Sequence, residues 1–228
     1  VPLTIQDVVI SKMAGDINHL LKSLDITSAV LCGFSFGFFI CQEFVKQFNA
    51  YDGKGLVKGV IVFDSTPAPI NDVKFPDYGF AGHDGIFGMM KIAQEDGKSK
   101  SGFDAAFRGV LWGDEKKYGC PGEQYSKLWK KSLAKLECEQ VCAQFMCCAN
   151  HEMVDELKKY KFPVLSLNAD GGAFCAENHH QNIGNLIKKA NPKRNKMHII
   201  KAGHLMHHFV PEELADLMTG FVKSVSRS

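Results

Sequence analysis

The fold class predicted for this chain is α/β: a mostly parallel sheet with flanking helices and a helical insertion. Two observations predict it. Short apolar runs of strand length, at 29–34, 59–63, 163–167 and 197–200, recur along the chain with helical spacing between them. The first run also passes through Gly33-Phe34-Ser35-Phe36-Gly37 directly into a helical pattern, Ile40, Cys41, Phe44, Val45 and Phe48. Strands that alternate with helices of this length need crossover connections, and so form a parallel sheet covered on both faces.

Taken in order, residues 11–24 read as an amphipathic helix, because Met13, Ile17, Leu20, Leu21 and Leu24 fall on one face. Residues 29–34 form a buried strand. The glycine-flanked Ser35 follows, then a helix to about Phe48 and a turn from Asn49 to Gly55 punctuated by Asp52-Gly53. Gly59 to Phe63 is the second strand, ending at Asp64, and Ser65 to Pro69 is a loop.

The stretch 71–160 lacks strand runs and carries helical pieces. One runs from Ile86 to Ile92, another is marked by Tyr125, Leu128, Trp129, Leu133 and Leu136, and a third by Val141, Phe145 and Met146. Its aromatic residues Phe75, Phe80, Phe87, Phe103, Phe107, Trp112 and Trp129 either pack the insertion or line an apolar pocket, and packing is the simpler expectation. Strand character returns at Pro163 to Leu167, ending in Asn168-Ala169-Asp170. A helix carrying Ile183, Leu186 and Ile187 closes at Asn191-Pro192, and the last strand, Met197 to Ile200, leads into Gly203-His204. Pro211 suits the first turn of a final helix whose core face is Leu214, Leu217, Met218, Phe221 and Val222. The expected division is therefore 1–70 as one half of the core, 71–160 as a helical cap and 161–228 as the other half.

Bulk properties narrow the function. With 228 residues, 45% hydrophobic and 23% charged, the composition is that of a globular domain. A net charge of +2 with scattered lysines gives no footprint for nucleic acid, and the basic run from Lys188 to Arg194 reads as a solvated loop. No apolar stretch reaches the ~18 residues of a membrane span. The chain begins at Val1, which leads us to expect further sequence upstream. Eight cysteines include a cluster at Cys138, Cys142, Cys147 and Cys148 without paired C-x-x-C motifs or histidines at ligand spacing, so no metal or other cofactor is expected. No asparagine begins an N-x-S/T sequon, a lean toward an intracellular protein.

Three strand ends carry groups able to do chemistry together: Ser35, then Asp64 or Asp170, then His204. A serine hydroxyl needs a base to take its proton, and that imidazole needs a carboxylate to hold its tautomer. In parallel sheets such groups collect at the carboxyl ends of the strands. A strand, a G-x-S-x-G turn and a helix place a serine on a strained turn with its hydroxyl presented, at a helix N-terminus that favours negative charge. The simpler alternative is a serine that only caps the helix. His204 lies near His207 and His208, with His179 and His180 upstream, but no set of ligands for a metal is completed.

The Ser, Asp, His order, the serine turn, the insertion after the next strand, the Pro163-Val164-Leu165 strand and the Gly203-His204 loop together resemble the α/β-hydrolase-fold family over nearly the whole chain. The resemblance implies that Ser35 is the nucleophile, His204 the general base and the Phe36 N–H an oxyanion donor. The acid is Asp170, preferred although Gly172 stands where many relatives place it, or Asp64, the position used by some lipase-like and dehalogenase-like relatives. Phe38 stands where relatives often carry a small residue.

The resemblance also implies strands ahead of the serine turn that this sequence lacks, along with the loop bearing a second oxyanion donor. A second chain or a missing N-terminal segment is therefore expected to complete the sheet, and the chain is expected to be a processed piece of a heteromer or a fragment. The implied function is a serine hydrolase that cleaves a carboxylic ester, thioester or lactone with an apolar acyl part through an acyl-enzyme. The alternative is a non-catalytic subunit of the same fold that binds a ligand or partner chain.

Overall fold

The computed structural model describes residues 9–67, 91, 95, 101–119, 123–135, 144, 147–148, 151–171, 185–189, 191 and 193–226. The elements in chain order are α1 (Ile10–Ser23), β1 (Ala29–Phe34), α2 (Phe36–Gln47), β2 (Val57–Phe63), α3 (Ser101–Trp112), α4 (Glu115–Tyr118), α5 (Glu123–Lys135), α6 (Val154–Leu157), β3 (Val164–Ala169), β4 (Lys196–Ile200) and α7 (Pro211–Val225). Residues 185–189 are also helical. The four strands form one parallel sheet in the order β1-β2-β3-β4.

Alternation along the strands divides the core into two layers, because successive side chains point to opposite faces. On β2, Val60 and Val62 face a core built with Ala14 of α1 and Phe38, Phe44 and Val45 of α2. Ile61 and Phe63 face the other way, onto a core shared with Leu165, Leu167, Leu214, Phe221 and Val225. The sheet is thus covered on both faces, as the near-continuous apolar runs of β2 and β3 require of parallel strands. At Gly59 the close seat of the Phe221 ring leaves little room for a side chain, since a Cβ there would lie 3.1 Å from it.

The two helices before and after β1 end in the same way. Asp25 and Asn49 adopt positive φ just past α1 and α2. Around them Asp25 and Ile26 N–H groups bond back to Lys22 and Leu21, and Asn49 and Ala50 N–H groups to Lys46 and Val45. These are Schellman ends, which satisfy terminal carbonyls through one left-handed residue, and Asn and Asp tolerate that conformation best after Gly. At the other end of the chain Pro211 opens α7 with Glu212 and Glu213 in the first turn, where its missing N–H costs nothing and the acidic charges suit the helix dipole.

Gly33 is where close packing is decided. A Cβ on it would lie 2.5 Å from the Phe38 backbone, so only glycine lets α2 start against the end of β1. Phe38 itself is fully buried in that core. Gly33→Ala is expected to cost about 3 kcal/mol, the upper end of overpacking penalties. Thermal denaturation should show a melting temperature lower by roughly 10 °C.

Most expected elements lie where periodicity places them, with β2 beginning two residues earlier than its apolar run, at Val57. The chain between β2 and β3 holds α3, α4, α5 and α6; of these only α5 was marked by its periodicity. The expected helices at 86–92 and around 141–146 fall largely outside the described residues, as do Phe75, Phe80, Phe87, Cys138, Cys142, His179 and His180. Trp112 is buried, and the Trp129 indole N–H donates to Asp104 at 2.6 Å. Cys32, Cys41 and Cys148 carry free thiols. Cys32 was read as part of a buried run, yet it is exposed, because β1 has no partner on its outer side among the described residues.

His151 supplies a pH prediction. Its ring packs against Phe39 at 5.4 Å between centroids, and its Nε2 is buried without a hydrogen-bond partner among the described residues. Burial, helped by the nearby Lys46 charge, pushes its pKa down to about 4. The unfolded chain therefore takes up a proton at higher pH than the folded one. No contribution exists above the ordinary histidine value of 6.5, and stability falls as pH drops from there toward 4. The loss is at most about 3 kcal/mol. Denaturant melts at pH 7 and pH 4.5 should show His151→Phe losing less stability on acidification than the parent protein.

Candidate active site

The site is built at the carboxyl ends of β1 and β2. Phe34 and Phe63 are register partners, so Ser35 and Asp64, the residues just beyond them, stand side by side on neighbouring strands. Parallel neighbours are roughly 4.8 Å apart, which sets the scale of the site. Both residues adopt left-handed backbone, Ser35 with φ 48° and Asp64 with φ 44°. Such conformations in non-glycine residues cost on the order of 1–3 kcal/mol and persist only where the surroundings over-determine them.

The surroundings do so here. The Ser35 N–H donates to the Phe63 carbonyl at 2.8 Å, and the Ser65 hydroxyl donates to the Ser35 carbonyl at 2.7 Å. The Asp64 N–H donates to the Leu167 carbonyl at 2.8 Å. Ser35 stands at the N-cap position of α2, yet its side chain makes no capping hydrogen bond. Its half-buried hydroxyl is therefore not used as a cap, the simpler alternative that the sequence left open. Phe36 is the first residue of α2, so its N–H belongs to the opening turn, whose donors have no acceptor within the helix.

His204 lies on the loop after β4 and reaches back over the end of β3 to Asp64. Its Nδ1 is 2.5 Å from Asp64 Oδ2, and both side chains are 1% exposed. The other carboxylate oxygen, Oδ1, accepts the Ala169 N–H at 2.9 Å. A proton on Nδ1 facing the carboxylate leaves the Nε2 lone pair of a neutral imidazole as the basic atom. A buried carboxylate is tolerated only when its lone pairs are satisfied, and the Ala169 N–H and the imidazole do this together.

Aromatic rings close the site. The Phe34 ring stacks on the His204 imidazole at 4.8 Å between centroids, and His207 packs against Phe34 at 5.1 Å and Phe63 at 5.8 Å. Burial, with the neighbouring His208 and His204 rings, pushes the His207 pKa down to about 4, so at neutral pH it is an uncharged wall.

Of the expected site residues, Ser35, Phe36, Asp64 and His204 gather here. Ser35 joins the cluster through Phe34 and Asp64, with no hydrogen bond from its hydroxyl to the imidazole among the described contacts. In unliganded sites such bonds are often long and tighten when substrate binds. Asp170, the acid preferred from the sequence, is bound elsewhere. It follows β3, one strand further from Ser35 than Asp64, and its carboxylate binds Lys117 and the Ala202 N–H. Ser65 and the Ala169 N–H were not anticipated. Ser65 lies two residues past the end of β2 and Ala169 is the last residue of β3, and only the register of the sheet shows that they face the serine turn and Asp64. Among the described residues no cluster of three or more His, Cys, Asp or Glu is arranged to hold a metal ion, and no helix is long and apolar enough to cross a membrane.

This sheet order with a strained serine between β1 and α2 is the arrangement of the α/β-hydrolase fold. Solved structures similar to the chain include a bromoperoxidase from Bacillus anthracis, with a TM-score of 0.76 and 16% identity over 95% of this chain and 75% of that one. An esterase from Exiguobacterium antarcticum gives 0.75 and 18% over 95% and 74%. A thermophilic esterase from Thermogutta terrifontis gives 0.73 and 17% over 95% and 73%. At such identities the likeness establishes the fold, and the chain has the α/β-hydrolase fold. No protein-family model matches the sequence, and no curated protein matches it significantly.

Proposed function

We propose that the protein is a serine hydrolase acting on a carboxylic ester, thioester or lactone with an apolar acyl part. The observation that carries this reading is the buried His204–Asp64 pair held beside a serine whose hydroxyl caps nothing. Ser35 attacks the carbonyl while His204 Nε2 takes its proton, Asp64 holds the imidazole in the right tautomer, and the Phe36 N–H stabilises the oxyanion. The acyl-enzyme is then released by water activated by the same imidazole. The ring-lined surroundings of His204 suit an apolar acyl group, and two of the solved neighbours carry the name esterase.

Two architectural readings accompany the chemistry. The helices between β2 and β3 act as a cap over the strand ends. A further strand, from a second chain or from another segment of the polypeptide, pairs with the outer edge of β1, where Ala29 and Val30 are half-buried and Cys32 is exposed, and brings the second oxyanion donor.

A fluorophosphonate probe tests the reading. Ser35 should be labelled in the native protein, and labelling should disappear in Ser35→Ala and His204→Ala. No labelling of the native protein with its partners present would replace the hydrolase by a binding subunit.

A further inference from the structure

We propose that Asp170 is a positioning residue that ties the loop bearing His204 to the helices inserted between β2 and β3. The inference rests on the reading of His204 as the base. Beside a hydrogen bond with Tyr118, two contacts of Asp170 span the junction. Its Oδ1 accepts the Ala202 N–H at 3.2 Å, two residues before His204. Its Oδ2 accepts from Lys117 Nζ of α4 at 3.4 Å. Its own N–H donates to the Ile200 carbonyl, and the Gly171 N–H donates to Ala202.

The same junction is closed at three further points. The Leu205 N–H, one residue past the base, donates to the Leu111 carbonyl at the end of α3 at 3.0 Å. Gly203 lies so close to the Trp112 carbonyl that a Cβ would sit 2.0 Å from its oxygen. Tyr118 covers Gly171, where a Cβ would meet its ring at 2.2 Å. The residues on both sides of His204 are therefore held by the C-terminal end of α3 and by α4, and Asp170 is the side chain that bridges the two. Insertion and base then move as one body at this junction, so loosening the insertion here displaces the imidazole. A strand-end carboxylate that could have served as the acid serves as a bracket instead.

The test uses the complete native protein. Turnover of p-nitrophenyl butyrate is measured together with amide hydrogen exchange across 200–206. Lys117→Met and Asp170→Asn, which remove the partly exposed ion pair, should each lower kcat about threefold with KM unchanged. Asp170→Ala, which also removes the acceptor for Ala202, should lower it about tenfold. All three should speed exchange at 202–205, and the double variant Lys117→Met/Asp170→Asn should lose no more than either single one, because both cut the same tie. An active protein in which these variants leave kcat and exchange unmoved, or in which the two single losses multiply, overturns the proposal. A parent protein that neither turns over ester nor takes a fluorophosphonate, yet loosens at 202–205 in the variants, removes the catalytic reading and reduces Asp170 to a structural bracket, which also overturns the positioning role.

Discussion

Asp64→Asn should lower kcat/KM by about 10⁴-fold, the scale seen when a triad acid is replaced by its amide. The reason lies in the donors and acceptors. An amide at residue 64 presents either a carbonyl or an NH2 to His204 Nδ1, and lacks the charge that stabilises the imidazolium formed when Ser35 gives up its proton. The substitution keeps the shape of a side chain that is 1% exposed and bonded to Ala169, so the fold should survive. Steady-state kinetics beside thermal melts will separate the two effects. Asp170→Asn in the same assay should stay within tenfold of the parent, because its partners are a partly exposed lysine, the Tyr118 hydroxyl and one backbone N–H. A collapse of activity in Asp170→Asn, with Asp64→Asn near normal, would return the acid to the end of β3.

The second large effect is expected at the serine. Ser35→Ala should reduce kcat by about 10⁵–10⁶-fold, since without the hydroxyl no acyl-enzyme forms and only the oxyanion donor and binding remain. Stability should barely change. The Ser35 side chain caps no helix end, and the bonds that hold its strained backbone come from its own N–H and carbonyl, to Phe63 and Ser65, which alanine keeps. Burst kinetics and differential scanning calorimetry on the same preparation would check both halves of this expectation.

The contrast between the two carboxylates shows what the sequence could and could not carry. Strands, helices and the serine turn were legible because their signals are local. They are the apolar run of β2, the face of α1, the glycines around Ser35 and the proline opening α7. The carboxylate that pairs with His204 was not legible, because Asp64 and Asp170 each follow an apolar strand and look alike as text. What separates them is the order β1-β2-β3-β4 and its register, which put Asp64 directly beside Ser35 and Asp170 one strand further off.

The helix α3 was missed for a different reason. Gly102 and Gly109 weaken its helical signal, and its end is fixed by burial of Leu111 and Trp112 and by the Leu205 N–H rather than by propensity. Ser65 was equally hidden, since its hydroxyl matters only because the next strand over ends in a strained serine. Residues tied to distant backbone leave no periodic trace, and these are the ones that brace this site.

The most direct measurement of the account is a crystal structure of the native protein after reaction with a fluorophosphonate. Phosphorus is expected on Ser35 Oγ, with a phosphonyl oxygen within hydrogen-bond distance of the Phe36 N–H, and His204 Nε2 facing Oγ with Nδ1 still on Asp64. A phosphonyl group on another residue, or an imidazole turned away from residue 35 while Asp64 holds it, would contradict the account.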